Sequence, residues 1–109
     1  RHHTMGAHFR HRDEASLLEQ WLDRAIEDCR GVDLLIYQAG ADPHVNDPLG
    51  KVLTGVQMAK RDHAVFSAFQ GRPLVWNLAG GYQRDVNGGI EPVLKLHRTT
   101  AQIQNIYQP

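Results

Sequence analysis

One hundred and nine residues allow one small domain, large enough for a core but at the low end for an enzyme. Lysine plus arginine and aspartate plus glutamate each count 12, so the formal charge is zero and neither a nucleic acid nor an anionic membrane is indicated as a partner. One cysteine, Cys29, leaves no disulfide framework and no thiolate zinc site. No apolar run approaches the roughly 18 residues of a membrane span, and no signal-peptide pattern is present, so a cytoplasmic setting is expected.

The opening "RHHTMG", residues 1–6, reads as the remnant of a purification tag, which leaves His2 and His3 without a function and residues 7–109 as a single α/β domain. In "SLLEQWLDRAIEDC" the apolar residues Leu18, Trp21, Leu22, Ala25, Ile26 and Cys29 recur at three and four, and Ser16 with Glu19 forms a capping box. An amphipathic helix ending near Gly31 is predicted, with Cys29 as a core thiol. "VDLLIYQA" is short, lacks polar alternation and lies between Gly31 and Gly40, which predicts a parallel strand covered on both faces. "DPHVNDPLGKVL" is a loop. Thr54 and Gln57 then form a second capping box, opening a helix to about Gln70 with a buried stripe of Val56, Met58, Ala59, His63, Val65, Phe66 and Phe69. "PLVWNLA" is a second strand and "GGYQRDVNGG" a second long loop. Pro92 suits the first turn of a last helix carrying Val93, Leu96, Thr100, Ile103 and Tyr107.

The order helix, strand, helix, strand, helix describes an α/β unit with parallel strands, whose ligand site belongs beyond the carboxyl ends of the strands. Both long loops leave from there, so Asp42 and Tyr82 are expected on one rim. Taken by itself, Asp42 has three readings: a turn former through its side-chain acceptor, half of an Asp-x-His metal clip with His44, or one ligand of a larger site. Pro43 and the start of the loop weigh against the clip. His63 and His97 are read as packing or surface residues of helices.

"DLLIYQAGADPHVNDPLG", "LTGVQMAKRDHAVF", "PLVWNLAGGYQRD" and "EPVLKLHRTTAQI" together resemble the C-terminal half of the zinc-dependent histone deacetylase family, in the bacterial branch that includes acetoin-utilisation and acetylpolyamine amidohydrolases. The resemblance runs from about residue 14 to 103. It rests on a strand ending in Gly-Ala-Asp, a second Asp five residues on before Pro-Leu-Gly, an Arg-Asp helix and a Gly-Gly-Tyr strand exit, in that order. It implies a partial three-layer αβα arginase/deacetylase-like fold and, for the parent, hydrolysis of acetyl-lysine or another N-acetyl amine by zinc-bound water. Asp42 then matches the second aspartate ligand to zinc, and Tyr82 the phenol that donates to the substrate carbonyl oxygen. Gly80 and Gly81 match the glycines before that tyrosine, Leu49 a residue lining the acyl-lysine tunnel, and Asp47 an acid of the loop that is not a ligand.

The chemistry suits these residue types. Catalytic zinc takes about three protein ligands and keeps a position open for water. A phenol held beside the developing oxyanion stabilises it, and glycine before it lets backbone pass close to substrate. The family's Asp-x-His ligands and His-His dyad belong to an N-terminal half that this sequence does not contain, so the chain alone is expected to be inactive. Three hypotheses follow from that. The chain is the C-terminal portion of a zinc amidohydrolase and needs its other half. Or it is a non-catalytic module that forms a homodimer through exposed strand edges. Or Asp42, His44 and His63 from two copies build a metal site.

Overall fold

The computed structural model describes residues 2–3 and 17–109. Helix α1 spans Leu18–Cys29, strand β1 Leu35–Gln38, helix α2 Gly55–Ala68, strand β2 Leu74–Asn77 and helix α3 Glu91–Tyr107. The chain is mixed α/β in the expected order. β1 and β2 pair in parallel, Leu35 opposite Leu74 and Gln38 opposite Asn77, so α2 is the crossover of a β-α-β unit. The α1 capping box and the rest of the tag-like start lie outside the described residues, apart from His2 and His3.

Helix α2 begins as its sequence dictates. Thr54 Oγ1 accepts from the Gln57 N–H at 3.2 Å, and Gln57 Oε1 accepts from the Thr54 N–H at 2.8 Å. These two bonds satisfy donors that the first turn leaves without intrahelical partners. Thr54→Ala is expected to cost about 1 kcal/mol, read as a fall of about 4–8 °C in melting temperature. The helix stops at Ala68, short of Gln70, and the chain turns through Gly71 at φ +76°.

The buried face of α2 differs from expectation. Val56 is 70% exposed and His63 is also exposed, whereas Met58, Arg61, Asp62, Val65 and Phe66 are buried. The apolar period alone marked the wrong edge of the stripe, because Arg61 and Asp62 satisfy each other and so occupy core positions that charge would normally forbid. Phe66 packs edge-on against Tyr37 and Trp76, with ring centroids 5.6 and 6.3 Å apart, which seats α2 on the inner face of the sheet. α1 and α3 pack against α2 on either side in sequence.

The sheet is not covered on both faces. Its side chains alternate between half-buried and exposed: Leu35, Tyr37, Leu74 and Trp76 face α2, while Ile36 is 64% and Val75 55% exposed. The three described helices are committed to one layer through α2, and no described element lies over the other face. No helix among the described residues is long and apolar enough to cross a membrane.

Candidate functional site

The ends of the two strands are joined backbone to backbone. The Ala39 N–H donates to the Asn77 carbonyl at 3.1 Å and the Ala41 N–H to the Gly80 carbonyl at 2.6 Å, so the β1 and β2 exits run side by side past the last ladder pair. This places Asp42 beside Gly80. A methyl group on Gly80 would come within 2.9 Å of Asp42 Cγ, and one on Gly40 within 2.5 Å of Asp42 Oδ1. One on Gly50 would overlap the Asp42 carbonyl oxygen. Asp42 is thus cradled by three glycines, each of which leaves no room for a side chain. Ala79, just before Gly80, sits in the left-handed region at φ +32°, a conformation that a residue with a Cβ adopts at a cost.

Asp47 locks this arrangement. Its carboxyl group is fully buried and accepts from the Leu49 N–H at 2.9 Å, from the Gly50 N–H at 3.4 Å and, across 35 residues of sequence, from the Tyr82 N–H at 2.8 Å. One side chain therefore closes its own loop and ties the Gly80-Gly81-Tyr82 exit to it. Gly81 has its own reason to lack a side chain, because a Cβ there would lie 2.8 Å from Val93 Cγ1 and 3.0 Å from Ala41 Cβ. The Tyr82 side chain is 46% exposed and Leu49 71%.

From below, Arg61 holds the Asp42 segment. Its Nη1 donates to the Gly40 carbonyl at 3.0 Å, its Nε donates to Asp62 Oδ1 at 3.1 Å, and Nη2 lies 3.0 Å from the same oxygen. Asp62 also accepts from the Tyr37 hydroxyl, and its Oδ2 accepts from Thr100 Oγ1 at 2.6 Å. The network joins β1, α2 and α3 under the loop. Burial holds the Tyr37 phenol far above its ordinary pKa, so it stays protonated and donates. Burial works against the Arg61 charge, but the neighbouring Tyr37 and Asp62 outweigh it and raise its pKa.

Two histidines near the network respond to pH. Burial lowers His97 below the ordinary 6.5, with Arg61 adding to the depression and Asp62 opposing it. His44 is lowered by burial against the pull of Asp47. A histidine depressed in the folded state takes up its proton preferentially in the unfolded chain, so its contribution to stability is present above pH 6.5 and is lost as the pH falls through the folded value. Urea midpoints are expected to fall between about pH 7 and about pH 5, and His97→Gln should flatten part of that slope.

Asp42, Gly40, Gly80 and Arg61 border a cavity of about 390 Å³ that extends along β1 to α1. The Asp42–His44 chelate is not formed. His44 Nδ1 accepts from the Asn46 N–H at 3.1 Å, and the ring lines a different cavity, near Gly55. His63 is bonded through Nδ1 to the Tyr107 hydroxyl at 2.9 Å. No three His, Cys, Asp or Glu side chains among the described residues come together as a metal cluster. Asp42 alone does not fit a catalytic zinc, which takes about three protein ligands.

Sequence reasoning named Asp42, Gly80, Gly81 and Tyr82 and missed Gly40, Gly50 and Arg61. The signal for Arg61 was a charged pair interrupting the Met58–Val65 apolar face; that for Gly40 and Gly50 was two glycines flanking one acid.

No family model matches the chain, and no solved structure matches it. An uncharacterised protein of the cyanobacterium Picosynechococcus sp. is 32% identical over 74 residues, covering 65% of this chain and 25% of that protein. The chain spans about a quarter of the length of the curated relative it matches.

Proposed function

We propose that this chain is the C-terminal portion of a histone deacetylase-like zinc amidohydrolase of the arginase/deacetylase fold, acting on an N-acetyl amine and completed by further polypeptide. The observation that carries the reading is the cradled Asp42 carboxyl at the joined exits of two parallel strands, with Tyr82 fastened to the same loop by Asp47. That is where an open parallel sheet binds its ligand. The parallel β-α-β unit and the Gly-Ala-Asp and Gly-Gly-Tyr exits support it further.

In this reading Asp42 contributes one metal ligand, and the others come from outside the described residues. The Tyr82 hydroxyl donates to the substrate carbonyl oxygen, and Gly80 and Gly81 leave room for substrate beside the backbone. The exposed Leu49 forms part of the apolar wall. Such a site works in the cytoplasm on acetylated lysine, polyamine or another small acetamide.

The test is kinetic, on the complete reading frame that contains this chain. Tyr82→Phe is expected to lower kcat by about 10²–10³ with the protein still folded, the loss typical of an oxyanion donor. An unchanged kcat, or a complete protein with no amidohydrolase activity on acetyl-lysine and acetylpolyamine substrates, would count against the proposal.

A second reading has its own observation. Leu34, Ile36 and Val75 form an exposed apolar strip on the sheet face, and a two-stranded sheet has two unpaired edges. A homodimer formed there would make the chain a non-catalytic module. Sedimentation at rising concentration decides it: a dimer abolished by Ile36→Lys supports the module, and a monomer at high concentration removes it.

A further inference from the structure

A second cavity, of about 410 Å³, opens where the first turn of α2, the outer part of α3 and the two strand-exit loops meet. It is separate from the Asp42 cavity and plays no part in the proposed reaction. That volume falls within the range of small-molecule pockets, roughly 300–1,000 Å³. The chemistry of its wall is one-sided. No aspartate or glutamate lines it among the described residues, while three nitrogen donors do.

The first donor is Gln83 Nε2, which is buried and has no hydrogen-bond partner in the protein. A buried amide donor left without a partner costs about 1–3 kcal/mol, so an acceptor placed against it gains more than one at the surface. The second is His44. Its Nδ1 accepts from the Asn46 N–H, so in the neutral ring the hydrogen sits on Nε2, which lies 3.9 Å from the Cβ position of Gly55 at the cavity wall. Burial keeps that ring neutral to lower pH than usual. The third is the Lys95 ammonium on α3. Met58 and Leu96 supply apolar wall between them.

We propose that this cavity binds a small organic monocarboxylate, its oxyanion held by Gln83, His44 and Lys95 and its alkyl chain laid against Met58 and Leu96. The charge count selects this class. One ammonium and two neutral donors balance a single negative charge, whereas a phosphate dianion would leave charge uncompensated. The apolar wall gives the alkyl part a place that inorganic anions cannot use.

The test is a two-dimensional amide NMR titration of the chain with hexanoate, with 1-hexanol and inorganic phosphate as controls. Saturable shifts of the Gln83 side-chain amide and of the Lys95 and Thr99 backbone amides are expected, with a Kd on the order of 1 mM. Lys95→Met, at an exposed position that should not disturb folding, is expected to weaken binding about tenfold, and Gln83→Leu at least as much. Hexanol binding as well as hexanoate would overturn the oxyanion site. So would phosphate binding more tightly than hexanoate, shifts that never saturate, or affinity unchanged in both variants.

Discussion

Arg61→Met should lower the unfolding free energy of this chain by about 3–5 kcal/mol, the usual cost of removing one partner from a buried ion pair. The side chains of Arg61 and Asp62 are only 5% and 2% exposed, so neither charge can turn to solvent. Without the guanidinium, Asp62 keeps donors from Tyr37 and Thr100 but loses its counter-charge, and the Gly40 carbonyl loses its donor. The double variant Arg61→Met/Asp62→Leu should recover much of the loss, because exchanging both buried charges for apolar volume is often close to neutral. Thr100 would keep its bond to the Leu96 carbonyl. Urea unfolding of both single variants and the double variant measures the coupling. Single variants within about 1 kcal/mol of the parent would mean that the pair is solvated and not a core element.

Asp47→Ala is the second large effect, about 3 kcal/mol or more. It takes the acceptor from three backbone donors at once, and each buried donor left unpaired costs about 1–3 kcal/mol. Its local signature separates it from a general loss of packing. The Tyr82 amide should exchange with solvent faster than the α2 core amides do, because that bond alone fastens the second exit to the first loop. Asp47→Asn preserves shape and one acceptor oxygen, so it should cost less and still free one of the two loops. Equal exchange at Tyr82 in Asp47→Ala and parent would show that Asp47 does not fasten the loops.

The element order and the parallel pairing were legible because they rest on local signals. Helical spacing from Leu18 to Cys29, the Thr54–Gln57 box and Pro92 at the head of α3 each act within a turn of chain. The exposed faces of Ile36 and Val75 were not legible. An unbroken apolar strand signals burial on both sides only when something covers both sides, and the sequence of a strand does not say what lies over it.

The site divides the same way. Asp42 and Tyr82 stood out through residue type beside glycine, and Asp47 stood out as an acid of the loop. That Asp47 reaches Tyr82 could not be read, since the bond spans 35 residues and depends on two loops folding back together. Arg61 was hidden by the rule that charge faces water. Its carboxylate partner at the next position and the Gly40 carbonyl 21 residues earlier satisfy it inside the core.

The measurement closest to the central claim is a native mass spectrum of the complete reading frame in zinc-containing buffer, parent against Asp42→Asn. If the glycine-cradled carboxyl is a ligand, the parent carries one zinc per chain and Asp42→Asn loses it while keeping its fold by circular dichroism. Zinc retained in full by Asp42→Asn, or none bound by the parent, would make Asp42 a turn former and its cradle a feature of loop packing alone.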